Sequence, residues 1–330
     1  MCNIILCVRG KHVKPNLPPT DTEVAINALL FAVRQAADVI CDRWALMLIL
    51  AAMLGETRFG GFAERTGMAS RLVTSRLRTL ESLGILIRVP YALRPLRHEY
   101  MLTVMGRDLL PVMLQMTGWE QRWASTQKDR DASILHVACG KRLRPILACK
   151  ACGEPATARD IAIRISRSQL QQMPVKQTLH RRASLAPTGG QAGFGLIDTS
   201  LTIFGDKWAV EIINCSFLRV RRFSEFRRYT GIAANILADR LERLVAQGIF
   251  RTRERGSREY RLTEAGVDLY GILVALRDWA DIWVQNRYRS PVQLIHKGCG
   301  HAFFARSSCT HCGESVDSLS AIQFQRAVTI

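Results

Sequence analysis

The residues of this sequence whose types and spacing best suit chemistry are two groups of histidine and cysteine. In each group a His-x2-Cys-Gly segment is followed by a Cys-x2-Cys-Gly segment, with nine residues between the last cysteine of the first and the first cysteine of the second. Two residues between the ligands let both side chains reach one ion, and the glycine lets the backbone turn beneath them. Four such ligands make a closed tetrahedral site, which is typical of structural metal. The predicted ligands are His136, Cys139, Cys149 and Cys152, and then His296, Cys299, Cys309 and Cys312.

These groups predict two metal sites, one in each group. Zinc is the favoured ion, although spacing alone does not separate zinc from iron. His301 and His311 are close enough in the sequence to replace a ligand of the second site. The alternative is a set of reduced thiol turns without metal, and the identical spacing of the two groups argues against it.

The two groups are part of a longer duplication. An offset of 164 residues aligns Trp44 with Trp208, and after a gap of four residues an offset of 160 aligns Trp119 with Trp279. All six tryptophans and both Cys/His groups fall into register in this way. We therefore expect two structural repeats, each ending in a Cys/His segment.

Within each repeat the pattern predicts three helices, a two-stranded hairpin and a closing helix. In the first repeat Val73, Leu77 and Leu80 lie at i, i+4 and i+7, which indicates the buried stripe of one helix. This order of elements is that of a winged helix, whose second helix of the helix-turn-helix pair enters the major groove. The predicted fold class is mainly α with small β wings (α+β), as two winged-helix domains, each followed by a small Cys/His zinc-knuckle segment.

Residues on the polar face of the major-groove helix and in the wings are candidates for contact with DNA. Arg71 could bond O6 and N7 of guanine, Asn235 could read adenine, and Asp239 could accept from N4 of cytosine or repel phosphate. Arginines of the wings usually contact phosphate or the minor groove and set the register without reading sequence. Solvated polar faces without a partner are the alternative interpretation. The predicted DNA-binding residues are Ser70, Arg71, Thr74, Ser75, Arg78, Arg94, Arg97, Asn235, Asp239, Arg253, Arg255 and Arg258.

Short motifs in the same order in both repeats resemble the HxlR family of bacterial winged-helix transcription factors. They comprise residues 42–44, 58–59, 76–77 and 99–106 in the first repeat and 205–208, 222–223, 237–241 and 259–266 in the second. Members of that family are typically homodimers that bind pseudo-palindromic double-stranded DNA. The resemblance implies the same kind of binding here, with two DNA-binding heads supplied by one chain. Some members sense oxidants with a cysteine upstream of the tryptophan. Phe31 and Gly195 stand at that place, so the resemblance does not imply thiol sensing by that route.

The composition agrees with a polyanionic partner. The 46 Lys and Arg exceed the 28 Asp and Glu, which gives a formal net charge of +18. Such a surface concentrates nucleic acid, with an anionic membrane surface as the second possibility. No apolar run approaches the roughly 20 residues of a membrane span, and the start lacks the pattern of a secretory signal. We therefore expect a cytoplasmic, nucleoid-associated bacterial protein with no membrane partner, whose cysteines bind metal more often than they form disulfides.

The expected boundaries follow from the duplication and from a stretch rich in Ser, Gln, Pro and Gly that reads as a linker. They are an N-terminal tail 1–24, winged helix 25–127, Cys/His segment 128–164, linker 165–193, winged helix 194–288, Cys/His segment 289–316 and C-terminal tail 317–330.

The leading hypothesis is a sequence-specific transcriptional regulator that reads the major groove with two non-identical recognition helices. Repression is favoured over activation, because a bound regulator blocks polymerase without further machinery. The alternative is a metal- or redox-responsive sensor whose Cys/His knuckles gate DNA binding. No P-loop, nucleophile elbow or zinc-protease motif occurs, so an enzyme is not expected. Whether the winged helices pair as an internal pseudo-dimer or between the chains of a homodimer is left open.

Overall fold

The computed structural model describes residues 4–6, 19–94, 96–124, 132–166, 195–284 and 291–326. The α-helices are α1 Pro19–Ile40, α2 Arg43–Met53, α3 Phe59–Thr66, α4 Ser70–Ser82, α5 Val104–Arg107, α6 Leu110–Trp123, α7 Asp198–Phe204, α8 Lys207–Phe217, α9 Phe223–Thr230, α10 Ala234–Ala246, α11 Glu264–Asp268 and α12 Tyr270–Trp283. The strands are β1 Ile4–Leu6, β2 Leu86–Leu93, β3 Leu96–Leu102, β4 Ala132–His136, β5 Lys141–Arg142, β6 Pro145–Cys149, β7 Ile161–Ile165, β8 Phe250–Arg255, β9 Ser257–Leu262, β10 Val292–His296, β11 Ala305–Cys309 and β12 Ile322–Arg326.

The chain divides into two compact units that do not coincide with the two repeats. Unit 1 comprises Met1–Asp38, Ile146–Ala183 and Lys207–Ser308, and unit 2 comprises Val39–Pro145, Ser184–Asp206 and Cys309–Ile330. Each unit therefore takes its winged helix from one repeat and further segments from the other. This differs from the contiguous domains expected from the sequence.

Unit 2 contains the N-terminal winged helix, which consists of α2 to α6 and the antiparallel hairpin β2–β3. Asp42 precedes α2, and its side chain accepts the backbone N–H of Ala45 at 3.0 Å, which caps the helix. Val73, Leu77 and Leu80 of α4 are fully buried, so the predicted stripe is confirmed. Burial of this stripe leaves the opposite face of α4 to solvent.

Unit 1 contains the C-terminal winged helix, which consists of α8 to α12 and the antiparallel hairpin β8–β9. Leu237, Leu241 and Leu244 form the corresponding stripe of α10 and are buried. In both repeats the helix before the recognition helix ends at a left-handed glycine, Gly67 with φ 64° and Gly231 with φ 67°. The two repeats thus form the same winged helix, as the duplication predicts.

The helix that precedes each winged helix in the sequence packs in the other unit. In unit 1, α1 contacts α8 through an ion pair of Arg34 with the buried Glu211. Asp38 of α1 also accepts from the ammonium of Lys207 at 3.0 Å. Helix α1 comes from the first repeat, whereas α8 comes from the second, so this packing crosses the duplication.

The reciprocal contact in unit 2 uses different chemistry. The carboxylate of Glu120, on α6, accepts the backbone N–H groups of Thr199 at 2.9 Å and Ser200 at 2.8 Å. The N–H groups of the first turn of a helix have no partner within that helix, so Glu120 of the first repeat caps the N-terminus of α7. Arg43 donates to the hydroxyl of Thr202 at 3.1 Å. Helix α7 of the second repeat is thereby held by the first.

The Cys/His segments are also exchanged. In unit 1, β7 of the first repeat lies between β1 and β10, antiparallel to both, and β10 belongs to the second repeat. In unit 2, β4 of the first repeat pairs with β12 of the second. An apolar cluster that includes Leu147, Ile161, Leu294 and Phe303 lies beside the sheet of unit 1. Each of these two three-stranded sheets is therefore assembled from both repeats.

Two expected boundaries differ from the observed elements. Helix α1 begins at Pro19, inside the expected N-terminal tail, and β12 lies inside the expected C-terminal tail because it completes the sheet with β4. The expected linker lies outside the described residues from 167 onward. Among the described residues, no helix combines the length and apolarity that crossing a membrane requires.

Candidate nucleic-acid interface and metal centres

The first recognition helix, α4, presents a polar and cationic face to solvent. Ser70, Arg71, Ser75 and Arg78 are exposed. Thr74 is half-buried, and its hydroxyl donates to the backbone oxygen of Ser70 at 2.9 Å within the same helix. Five predicted DNA-binding residues thus lie on one helix, and four of them are open to a ligand.

Arg76, on another side of α4, has a structural role. Its guanidinium donates to the carboxylate of Asp42 at 3.1 Å, and Asp42 is also the residue that caps α2. The pair joins the recognition helix to the first helix of the helix-turn-helix motif. Arg76, which belongs to the Arg-Leu motif shared by both repeats, therefore pairs with Asp42.

The second recognition helix, α10, presents a less cationic face. Asn235 is exposed near its first turn, as is Glu242 further along. Asp239 forms ion pairs with Arg240 and, at 3.1 Å, with Arg243. The Asp239 carboxylate therefore pairs with arginines of its own helix. The sequence suggested contact with cytosine or repulsion of phosphate, but not this pairing.

The wings carry further exposed arginines. Arg94 and Arg97 are exposed in the first wing, as are Arg253 and Arg258 in the second. The backbone of Arg255 ends β8, and its side chain lies outside the described part of the structure.

One arginine at the base of the first wing was not singled out from the sequence as a candidate. The guanidinium of Arg58 lies over the ring of Tyr91, 4.8 Å from its centroid. Arg58 belongs to the Arg-Phe motif that occurs in both repeats, and this repetition could have identified it as a candidate from the sequence. Only the fold brings it to the wing residue Tyr91.

Two groups of metal-type ligands lie in the described structure, one in each unit. Site 1, in unit 1, consists of Cys149, Cys152, His296 and Cys299, whose ligand atoms all lie within 4.8 Å of one another. Nδ1 of His296 is 3.4 Å from Sγ of Cys152 and 3.4 Å from Sγ of Cys299, and the Sγ atoms of Cys149 and Cys299 are 3.9 Å apart.

Site 2, in unit 2, consists of His136, Cys139, Cys309 and Cys312. Nδ1 of His136 is 3.5 Å from Sγ of Cys139 and 3.3 Å from Sγ of Cys312. In both sites the histidine is buried and the last cysteine of the Cys-x2-Cys pair is exposed. The two sites therefore have the same donor set and the same burial pattern.

The turn beneath each pair of ligands depends on its glycine. Gly140, Gly153, Gly300 and Gly313 follow the second ligand of the four pairs, with φ between 64° and 79°. This left-handed conformation strains residues that have a Cβ. In each turn the glycine N–H donates to the carbonyl of the first ligand, for example Gly153 to Cys149 at 2.8 Å. The predicted role of these glycines agrees with the geometry.

Hydrogen bonding favours the ionised form of one ligand in site 1. The backbone N–H of His301 is the largest cause that lowers the pKa of the Cys299 thiol to about 6, and hydrogen bonds from His296 and His301 side chains lower it further. The thiolate is the form of cysteine that binds metal. His301, expected as a substitute ligand, thus contributes through hydrogen bonds to Cys299 and is not a member of either cluster.

All eight predicted ligands belong to these sites, but the predicted pairing of the ligands requires correction. The sequence suggested that Cys149 and Cys152 share an ion with His136, whereas they lie with His296 and Cys299. The physical reason is the exchange of strands: β10, which ends at His296, pairs with β7 of the first repeat. Local spacing selects the two ligands of one knuckle, and the tertiary fold selects the second knuckle.

Comparison with known proteins gives a match in both repeats. The family described as HxlR-like helix-turn-helix matches residues 39–128 and 203–288. Together these matches cover more than half of the chain and contain both winged helices. Each ends before the first candidate ligand of the adjacent Cys/His segment, so the eight candidate ligands lie outside the matched regions.

Individual relatives are similar over a single stretch of the chain. An uncharacterised HTH-type transcriptional regulator of Mycobacterium tuberculosis is 36% identical over 130 residues, which are 39% of this chain and 82% of that protein. Another from Synechocystis sp. is 30% identical over 104 residues, 31% of this chain and 76% of that protein. One from Bacillus subtilis (strain 168) is 39% identical over 83 residues, 25% of this chain and 66% of that protein.

Proposed function

The chain belongs to the HxlR-like helix-turn-helix family, and from that membership we propose that it is a transcriptional regulator that binds specific sequences of double-stranded DNA. Similar proteins bear the name of HTH-type transcriptional regulators, and none of those described above is named as an enzyme. A regulator of this kind in a bacterial cell acts in the cytoplasm, at the nucleoid.

The observation that carries the proposal is the exposed face of α4. Its apolar stripe is buried, Arg71 lies exposed in the first turn, and Arg78 follows seven residues later on the exposed side. A helix of a helix-turn-helix pair reads base edges through residues near its N-terminal end. Arg71 is suited to guanine, because its fork of donors matches O6 and N7.

The two recognition helices support the further proposal that the operator has two unlike half-sites. The α4 face is cationic, whereas the α10 face combines exposed Asn235 and Glu242 with an Asp239 already paired to arginines. An asparagine favours adenine and an arginine favours guanine.

We propose that binding represses transcription, because an occupied site near a promoter excludes polymerase.

Selection from a random duplex DNA library tests the proposal directly. We expect the full-length protein to enrich a defined sequence and Arg71→Ala to lose part of it. Arg142→Ala is the matched control, because Arg142 is an exposed arginine of the same unit on the Cys/His segment and its loss changes the net charge equally. Enrichment of no sequence, or equal effects of both variants, contradicts the proposal.

A second candidate function is favoured by one observation, the presence of a four-ligand cluster in each unit that holds a recognition helix. In this candidate the metal content gates DNA binding. Titration of the selected DNA against protein with and without a chelator distinguishes the two. Equal affinity at preserved secondary structure rejects the gate.

A further inference from the structure

We propose that the chain binds two zinc ions and that each ion is held by two ligands from each repeat, so that the ions fasten the two halves of the duplication together. Site 1 joins Cys149 and Cys152 to His296 and Cys299, and site 2 joins His136 and Cys139 to Cys309 and Cys312. This inference is independent of the DNA-binding proposal.

The distances between the ligand atoms fit a tetrahedral zinc ion. With Zn–S of about 2.3 Å and Zn–N of about 2.0–2.1 Å, an ideal tetrahedron has S···N edges of about 3.5 Å and S···S edges of about 3.8 Å. The observed Nδ1···Sγ distances lie between 3.3 and 3.5 Å, and the Sγ···Sγ distance from Cys149 to Cys299 is 3.9 Å. Both clusters therefore have nearly the separations that a bound ion requires.

The donor set selects zinc. Three thiolates and one imidazole form a Cys3His group, which is among the closed structural zinc sites. Soft sulfur ligands disfavour calcium and magnesium, which take oxygen. Four protein ligands leave no open position, so the ion serves structure and not catalysis.

The crossed pairing of the ligands has support that does not involve cysteine. In unit 1, five residues of β10 pair with β7 in an antiparallel ladder from Val292↔Ile165 to His296↔Ile161. In unit 2, β12 pairs with β4 from Ile322↔His136 to Arg326↔Ala132. Each ladder joins the two repeats and runs up to the histidine ligand of its site. Both ladders therefore bring the histidine of one repeat together with a strand of the other.

The consequence is that neither repeat holds a complete site. Each repeat contributes its His-x2-Cys pair to one unit and its Cys-x2-Cys pair to the other. Zinc binding in such sites supplies folding free energy, because the ligands are not assembled in the unfolded chain. The two ions therefore close loops of more than a hundred residues, which stabilises the exchanged arrangement.

Two double variants of the full-length protein separate the crossed pairing from pairing within a segment. Cys139→Ser with Cys312→Ser removes two ligands of one crossed site, so we expect about one zinc ion per chain. Cys139→Ser with Cys152→Ser removes one ligand from each crossed site, and we expect none to remain after dialysis against a weak chelator. If the ligands instead pair within one Cys/His segment, the first double variant should retain no zinc and the second should retain about one zinc ion per chain. Cys152 and Cys312 are chosen because both are exposed.

A milder measurement covers the case in which the double variants do not fold. In Cys312→Ser alone, we expect alkylation to label Cys139 faster than in the unsubstituted protein and to leave Cys299 protected. Faster labelling of Cys299 with Cys139 protected would overturn the crossed pairing. For the unsubstituted protein we expect two zinc ions per chain by elemental analysis, and folded protein with no zinc, or with iron in its place, would overturn the assignment of the metal.

Discussion

At the scale of single residues, the C-terminal winged helix buries a carboxylate whose charge depends on pH near neutrality. Asp278, on α12, accepts the backbone N–H of Ala305 at 2.6 Å. Burial is the largest influence on this side chain and raises its pKa to about 7, although Arg277 beside it and the backbone bond act in the opposite direction. Asp281 raises the pKa further, and Lys150 lowers it. The carboxyl is therefore half-protonated around neutral pH in the folded protein.

The first prediction concerns the pH dependence of stability at this residue. The folded protein retains the Asp278 proton to higher pH than the unfolded chain, whose carboxyl has a pKa of 3.8. The free energy of unfolding should therefore fall between about pH 4 and pH 7, by at most about 4 kcal/mol from this group. Asp278→Asn removes that fall, because an amide does not titrate.

Chemical denaturation of both proteins at a series of pH values tests the prediction. The difference between their free energies of unfolding removes contributions of groups that both proteins share, including the thiols and histidines. A difference that is constant from pH 5 to pH 8 would show that Asp278 keeps the same protonation in both states.

At the scale of elements, docking of α1 depends on an ion pair with little access to solvent. The side chains of Arg34 and Glu211 are 12% and 6% exposed, and Arg34 also donates to the backbone oxygen of Tyr229 at 3.1 Å. Burial raises the pKa of Glu211, while the charge of Arg34 opposes that rise. Arg34 is therefore the main group that opposes protonation of this buried acid.

The second prediction is that Arg34→Met destabilises unit 1 by about 3 kcal/mol, because it leaves a buried carboxylate without its cation. Arg34→Met with Glu211→Met should recover much of this loss, since two apolar side chains leave no charge unpaired. Arg88→Met is the control. Its partner Glu81 is 3.5 Å away and both are more exposed, so we expect a change below about 1 kcal/mol. Thermal unfolding of the four proteins gives the comparison, and equal losses for Arg34→Met and Arg88→Met would contradict the prediction.

The third prediction concerns the two recognition helices. Arg71→Ala should weaken binding to the selected DNA by about 1–3 kcal/mol and relax base preference in one half-site. Asn235→Ala should cost less and act on the other half-site, because the face of α10 carries acids. Both side chains are exposed, so the free energy of unfolding should not change.

Footprinting and affinity measurements with these two variants check the expectation. A perfect palindrome, with both substitutions acting equally on both halves, would mean that each half-site is read by the same helix of two chains.

At the scale of the whole molecule, the net charge of +18 sets the response to salt. The fourth prediction is that the logarithm of the DNA affinity falls linearly with the logarithm of salt concentration, with a slope of several units, because phosphate contacts release counterions. If Arg94 and Arg97 of the first wing contact phosphate, their joint replacement by alanine lowers the slope by about two. Titrations at four salt concentrations suffice, and a slope near zero would remove DNA as the partner.

Much of the local structure was determined by the sequence alone. The i, i+4, i+7 stripe of Val73, Leu77 and Leu80 predicted the buried face of α4, because helix periodicity and hydrophobic burial act over a few residues. The duplication predicted a second winged helix, which the structure contains. The two-residue spacing of each His or Cys pair singled out all eight residues that the structure gathers into two candidate metal-binding clusters.

Only the tertiary structure decided which knuckles share a site and which helix packs on which winged helix. Cys149 is three residues from Cys152 but about 150 residues from His296, and short-range spacing is identical whether the second knuckle comes from the same repeat or the other. The choice is made by β7 pairing with β10, by β4 pairing with β12, and by Arg34 reaching Glu211. Because the two repeats carry the same pattern, either pairing satisfies the sequence, and only contacts between distant segments distinguish them.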